Sequence, residues 1–171
     1  CLQKNIESGA SKMCAEKNQK KTFLIVVDDS LELNAALNFA CKRAIDTNGK
    51  VALFHAVELS DFHHFASIAE LMEIEARSEA EKLIQRIAAD VQKQTNQMPI
   101  LFLRQGKTIE QLLHLINEEK DIGVLVLGAR MGEEGPGPIV TAVSGQLAGK
   151  ISLPVTIIPG NLTIDEIETL T

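Results

Sequence analysis

Two short segments concentrate the residue types that do chemistry. The first is Val27-Asp28-Asp29-Ser30, two carboxylates and a hydroxyl directly after an apolar run. Paired carboxylates could serve as general acid and base or hold a metal ion. An aspartate at a strand-to-helix turn more commonly caps the helix that follows, and that reading is preferred for at least one of them. The second is Gly128-Ala129-Arg130-Met131-Gly132-Glu133-Glu134-Gly135-Pro136-Gly137-Pro138, which brings one guanidinium and leads to Thr141. Small residues ahead of a helix N-terminus let backbone amides approach a phosphate, so this loop is a candidate anion or nucleotide cradle.

The remaining reactive side chains have milder readings. Asp61-Phe62-His63-His64-Phe65 contains metal-ligand types, but adjacent side chains diverge and no second cluster is evident in the sequence, which favours an interaction loop. His55 and His114 lie among apolar neighbours and are expected to be packed. Cys41 reads as a small core residue, and Cys1, Cys14 and Cys41 have neither metal-ligand spacing nor a disulfide pattern. Ser30 and Ser144 have no evident His/Asp partner, so no nucleophile and no enzymatic activity are expected.

The elements that must position these residues follow from periodicity. Residues 1 to 21 are polar and Lys-rich, which predicts a flexible leader. Phe23 to Val27, Val51 to Phe54, Ile100 to Leu103, Val124 to Leu127 and Val155 to Ile158 are continuous apolar runs, the pattern of strands buried on both faces. Between them lie helical spacings: Leu33, Leu37, Ala40 and Ala44, stopped by Asn48-Gly49; then Ile68, Leu71, Ile74, Leu83, Ile87 and Val91; then Ile109, Leu112, Leu113 and Ile116; then Ile139, Val143, Leu147 and Ile151. Thr108 with Gln111, and Thr163 with Glu166, have capping-box spacing, the second opening a short helix in a tail over 161–171.

Strict alternation of strand and helix predicts an α/β fold, a doubly wound five-stranded parallel sheet with helices on both faces, over residues 22–160. In such sheets the ligand crevice lies beyond the carboxyl ends of the strands where the winding reverses, and the two chemical segments above end strands one and four.

Composition excludes several partners. Of 171 residues, 45% are hydrophobic and 23% charged, with net charge −6, so the mean field repels phosphate backbones and anionic lipid. Aromatics are 4%, all Phe, too few for a base-stacking platform. No apolar run reaches the length of a membrane span. Nucleic acid and membrane are therefore not expected as partners, and a cytoplasmic setting is.

From Lys21 to Gly160 the chain resembles the universal stress protein family. The resemblance rests on Val-Val-Asp-x-Ser from Val26, Leu-Phe-His-Ala-Val from Leu53, Gln-Gly-Lys-Thr from Gln105, Leu-Val-Leu-Gly-Ala-Arg from Leu125 and Leu-Pro-Val-Thr-Ile-Ile-Pro from Leu153, in that order. It implies strand order 3-2-1-4-5 of the adenine nucleotide α-hydrolase-like type, with the reversal between strands 1 and 4. It also implies a regulatory or binding protein of the stress response, a homodimer, in a family divided into adenine-nucleotide binders and non-binders.

The binders carry Gly-x2-Gly-x9-Gly-Ser/Thr from the end of the fourth strand. Laid from Gly128, that pattern meets Met131, Thr141 and Ala142 at its last three positions, so three of four depart. Starting instead at Gly132 restores the spacing through Gly135 and Gly145 but places the last glycine inside a helix. Glu133 and Glu134 add negative charge where a triphosphate would lie. The resulting expectation is weak binding of an adenine nucleotide (ATP or AMP), or none, at Asp28, Ala56, Gly128, Arg130, Gly132 and Thr141. Dimerisation is expected through Val155, Thr156, Ile157 and Ile158. The alternatives are a nucleotide hydrolase or phosphotransferase using the loops after strands 1 and 4, and a purely structural interaction module.

Overall fold

The computed structural model describes residues 21–59 and 66–171. Cys1, Cys14, the leader up to residue 20 and the Asp61 to Phe65 segment lie outside the described residues. Five strands, β1 (Thr22–Val26), β2 (Lys50–Val57), β3 (Ile100–Gln105), β4 (Ile122–Ala129) and β5 (Val155–Pro159), alternate with helices α1 (Leu33–Thr47), α2 (Ala66–Thr95), α3 (Thr108–Glu118) and α4 (Pro138–Ser144), and α5 (Ile164–Leu170) follows.

All four strand pairings are parallel, in the order β3-β2-β1-β4-β5, as the alternation and the family resemblance implied. The apolar runs alternate between two cores. Phe23, Ile25 and Val27 face α1, α2 and α5 through Leu37, Ile87 and Ile167. Leu24 and Val26 face α3 and α4 through Leu112, Leu115 and Val140. An unalternating run is what this two-sided burial requires. From β1 the chain winds outward to β2 and β3, then returns to the other side of β1 for β4, so the strand ends Asp28 and Gly128 border the reversal.

Several local expectations are corrected. Thr108 is not the cap of α3: Lys107 holds that position without a side-chain bond, and the Glu58 carboxylate at the end of β2 accepts from the Thr108 amide at 2.7 Å and its hydroxyl at 2.8 Å. A carboxylate arriving from a neighbouring strand serves the same orphan amides, so Gln111 is not needed to close a local box. The fourth helix ends at Ser144 instead of continuing to Ile151; Gly145 and Gly149 follow it, while Ile151 and Leu153 still pack against the α3/α4 core. His114 is exposed on α3, not packed. In α2 the buried positions are Ala80, Ile84, Ile87, Ala88 and Val91, whereas Ile68, Leu71 and Ile74 stand in solvent. Thr163 and Glu166 do form the reciprocal capping box, and Asn48 ends α1 in the left-handed conformation at φ 52°.

Candidate functional site

The Asp28 turn closes on itself. Beyond Val27, whose amide still reaches the Phe54 carbonyl at 2.7 Å, the chain leaves the sheet. Asp28 Oδ1 then accepts from the Ser30 amide at 3.0 Å and from the Ser30 hydroxyl. Neither Asp28 nor Asp29 caps α1: Glu32 stands at the cap position with helical backbone and no side-chain bond. Ser30, Leu31 and Glu32 separate Asp29 from the first helical residue, so the short aspartate side chains serve a turn ahead of the helix. Asp29, exposed, lies 3.6 Å from Arg86 of α2.

Gly128 faces this turn at close range. A Cβ at Gly128 would lie 2.4 Å from the Glu32 carbonyl oxygen, and one at Gly160 would lie 2.6 Å from Glu32 Cβ. The two glycines thus let the entry of α1 settle onto the ends of β4 and β5, and the close approach at Gly128 is taken up by the chain's own backbone. Glu32 is then held against Arg130: its Oε1 is 3.6 Å from Arg130 Nε, while Glu134 Oε2 is 3.5 Å from Arg130 Nη1. The Arg130 amide donates to the Pro136 carbonyl at 3.1 Å, which folds the Gly/Pro loop back toward β4. Gly137 sits at φ 103°, outside the helical region, as expected of a residue preceding Pro138.

These groups line a crevice of about 150 Å³ that includes Asp28, Ser30, Glu32, Gly128, Arg130 and Pro136. The structure therefore brings together three of the six expected site residues, Asp28, Gly128 and Arg130. Thr141 borders an adjoining open groove that shares Arg130, Gly137 and Pro138 with the crevice, and its hydroxyl donates back to the Gly137 carbonyl at 2.7 Å. Gly132 stands in the exposed loop at φ +121° with no atom within 4 Å of where its Cβ would be. Ala56 borders another groove, of about 490 Å³, on the α2 side of the strand ends, with Asp29, His55, Glu58, Lys82 and Arg86.

His55 is half-buried and borders that groove, where a packed residue was expected. Its Nδ1 lies 2.7 Å from the Val27 carbonyl, an acceptor only, so Nδ1 carries the proton. Cys41 is buried, and burial pushes its thiol pKa up to about 12. Two positions that shape the strand ends escaped the sequence reading. Glu32 bears no motif, being one acid among several beside a helix start. Glu58 caps a helix fifty residues away, a link no local pattern contains. Among the described residues no group of three or more His, Cys, Asp or Glu side chains could hold a metal ion, and no helix is long and apolar enough to cross a membrane.

Comparison with known proteins bears on this arrangement. Residues 20–159 match the family model described as the universal stress protein family. The chain belongs to the universal stress protein family. Among solved structures it is similar to the universal stress protein UspA from Lactobacillus plantarum, at TM-score 0.66 and 16% identity, over 82% of this chain and 98% of that one. It is also similar to the universal stress protein from Archaeoglobus fulgidus in complex with dAMP, at TM-score 0.56 and 16% identity over 82% and 98% of the two chains. A third is a universal stress protein in complex with cAMP, at TM-score 0.56 and 17% identity over 84% and 99%. No curated protein sequence matches the chain significantly. At these identities the likeness to solved structures is a likeness of fold.

Proposed function

We propose that this universal stress family chain is a homodimeric regulatory protein of the stress response that works by recognising partners, without catalysis, and that its switch-point crevice does not accept a nucleoside triphosphate. The observation that carries the reading is the closure of the phosphate side by Glu32. Its carbonyl takes up the close approach that the glycine at 128 permits, so that approach serves chain packing, and its carboxylate, with that of Glu134, engages Arg130. A triphosphate requires donors and cations; this crevice offers one guanidinium already flanked by two acids, with Asp28 alongside. A ligand anion entering here would compete with Glu32 for Arg130 and meet the carboxylates of Asp28 and Glu32.

Two family relatives carry dAMP and cAMP, so the adenine nucleotides are the ligands to test. Isothermal titration of the full chain with ATP, AMP and cAMP is expected to give no saturable heat below about millimolar concentration, equivalent to less than about 4 kcal/mol of binding. Mass spectrometry of gently denatured protein is expected to show no co-purified nucleotide. Micromolar ATP binding would overturn the reading. Incubation with ATP and Mg²⁺ tests the enzymatic alternative: turnover that disappears in Asp28→Asn would replace a binding role with a hydrolase.

A further inference from the structure

Helix α2 is 30 residues long and carries two apolar faces in succession. From its midpoint at Ala80, which is buried, the helix turns Ile84, Ile87, Ala88 and Val91 into the core shared with the sheet and α1. Over its first half the large apolar residues are Ile68, Leu71, Met72 and Ile74, between 41% and 67% exposed. At 3.6 residues per turn the two sets point in directions roughly 180° apart, so the first set looks away from the body. The body side of that half carries small and polar residues: Ala69 and Ala76 are half-buried, Glu73 accepts from Gln105 of β3 at 3.3 Å, and Glu73 and Arg77 border the strand ends of β2 and β3. The outward face is therefore not a frayed continuation of the core stripe. It is a second apolar set at helical spacing over about two turns, ended by Glu75 on the same face, and exposed apolar residues grouped in this way mark a contact site.

Charge selects the occupant. Of the acids over residues 66–82, Glu79 pairs with Lys82 at 3.5 Å, Glu81 with Arg77 at 3.6 Å and Glu73 with Gln105. That leaves Glu70 and Glu75 as the acids beside the apolar set without a paired cation among the described residues. An antiparallel second copy would set these carboxylates against their own kind. A membrane surface is refused for the same reason, since helices that lie on anionic lipid flank their apolar face with Lys and Arg. A helix with Leu-type residues on one face and Lys or Arg beside them complements both the stripe and its rim.

We propose that the outward face of the first half of α2, centred on Leu71 with Ile68, Met72 and Ile74, docks a basic amphipathic helix of a partner protein. This rests on the partner-recognition reading, but it involves none of the crevice residues, so its failure leaves the nucleotide titrations to be judged separately.

The probe is a synthetic amphipathic peptide of about 18 residues with Leu on one face and Lys on the other, labelled at one end and followed by fluorescence anisotropy against the full chain. Saturable binding is expected, and it should weaken by about tenfold in Leu71→Ser/Ile74→Ser. A peptide with Glu in place of Lys should not bind. The pair Glu70→Lys/Glu75→Lys, both exposed, should reverse this preference between the two peptides. Circular dichroism establishes that each variant is folded; the charge-reversed pair decides the matter if the serine variant is not. Equal binding of the Lys peptide to wild type and Leu71→Ser/Ile74→Ser would overturn the proposal. So would an unchanged preference after charge reversal, or, in a chain with Cys1→Ser and Cys14→Ser, an air-oxidised disulfide linking two Leu71→Cys chains at micromolar concentration, which would make the occupant a second copy.

Discussion

Cys41 and Glu58 carry opposite consequences of their surroundings. Cys41 sits in α1 against the apolar core, where nothing stabilises a thiolate, and its pKa of about 12 keeps it protonated at any pH the fold experiences. Thiol titration of Cys41 in a chain with Cys1→Ser and Cys14→Ser is expected to proceed only as fast as the protein opens, and at once in denaturant; prompt labelling of the native protein would contradict its burial. Glu58 is exposed, yet two hydrogen bonds from Thr108, first from the backbone amide and then from the hydroxyl, hold its carboxyl below the ordinary range. A carboxylate with a folded pKa below its unfolded one contributes stability that is complete above the unfolded value and is lost as pH falls through the folded value. Glu58→Gln should therefore cost about 0.5–1 kcal/mol near neutrality, the range of an exposed helix cap. Urea midpoints of variant and wild type should converge as pH drops below the usual carboxylate range. A gap that persists in acid would mean that the glutamate contributes through packing.

At the scale of elements, the α1 entry and the β4 end are joined by absence of side chain. Gly128→Ala places a methyl group 2.4 Å from the Glu32 carbonyl, and because the obstacle is backbone it cannot rotate away. The expected loss is about 1–3 kcal/mol in chemical denaturation, the cost of overpacking. Gly149→Ala, whose Cβ would meet nothing within 4 Å, should be close to neutral and serves as the control. A neutral Gly128→Ala would show that α1 can lift from the sheet, leaving the crevice free to admit a phosphate.

The same contact shows where sequence reading stops. The central strands were legible because Phe23 to Val27 and the runs of β2 and β4 are largely buried on both faces, and burial writes itself into consecutive apolar residues. The runs of β3 and β5 were legible by composition alone, since these edge strands are half-exposed and not buried on both faces as expected, and the strand order came from the family resemblance. The Thr163 cap was legible because donor and acceptor lie three residues apart. Thr108 misled because its partner, Glu58, comes from another strand. Asp28 and Gly128 were placed correctly at the reversal of the sheet, but what fills the space between them is Glu32, whose importance arises only when two distant segments meet. The length of the fourth helix was overestimated because Val143, Leu147 and Ile151 keep helical spacing while the backbone, after Gly145, does not keep helical form.

For the whole molecule the open question is how the sheet ends. Its two edges are β3 and β5. In β5, Ile158 turns into the α1/α2 core while Ile157 is 41% exposed on the opposite face, so the strand offers a backbone edge and an apolar side chain at once. An edge of that kind invites a second strand. Pro154 precedes the strand and Pro159 ends it, which confines pairing to Val155, Thr156, Ile157 and Ile158. So short a segment, meeting its own copy about a two-fold axis, closes on a dimer instead of growing. Ile157→Lys would put a charge at the centre of each such pairing, twice per interface, and burying an unpaired ammonium costs several kcal/mol, enough to dissociate a micromolar dimer. Light scattering should report the monomer mass for the variant and the dimer mass for the wild type, with circular dichroism unchanged because Ile157 lies outside both cores. A folded Ile157→Lys protein that remains dimeric would move the contact to β3, whose Ile100 and Leu101 are 38% and 40% exposed, and Leu101→Lys would then be the variant that dissociates it.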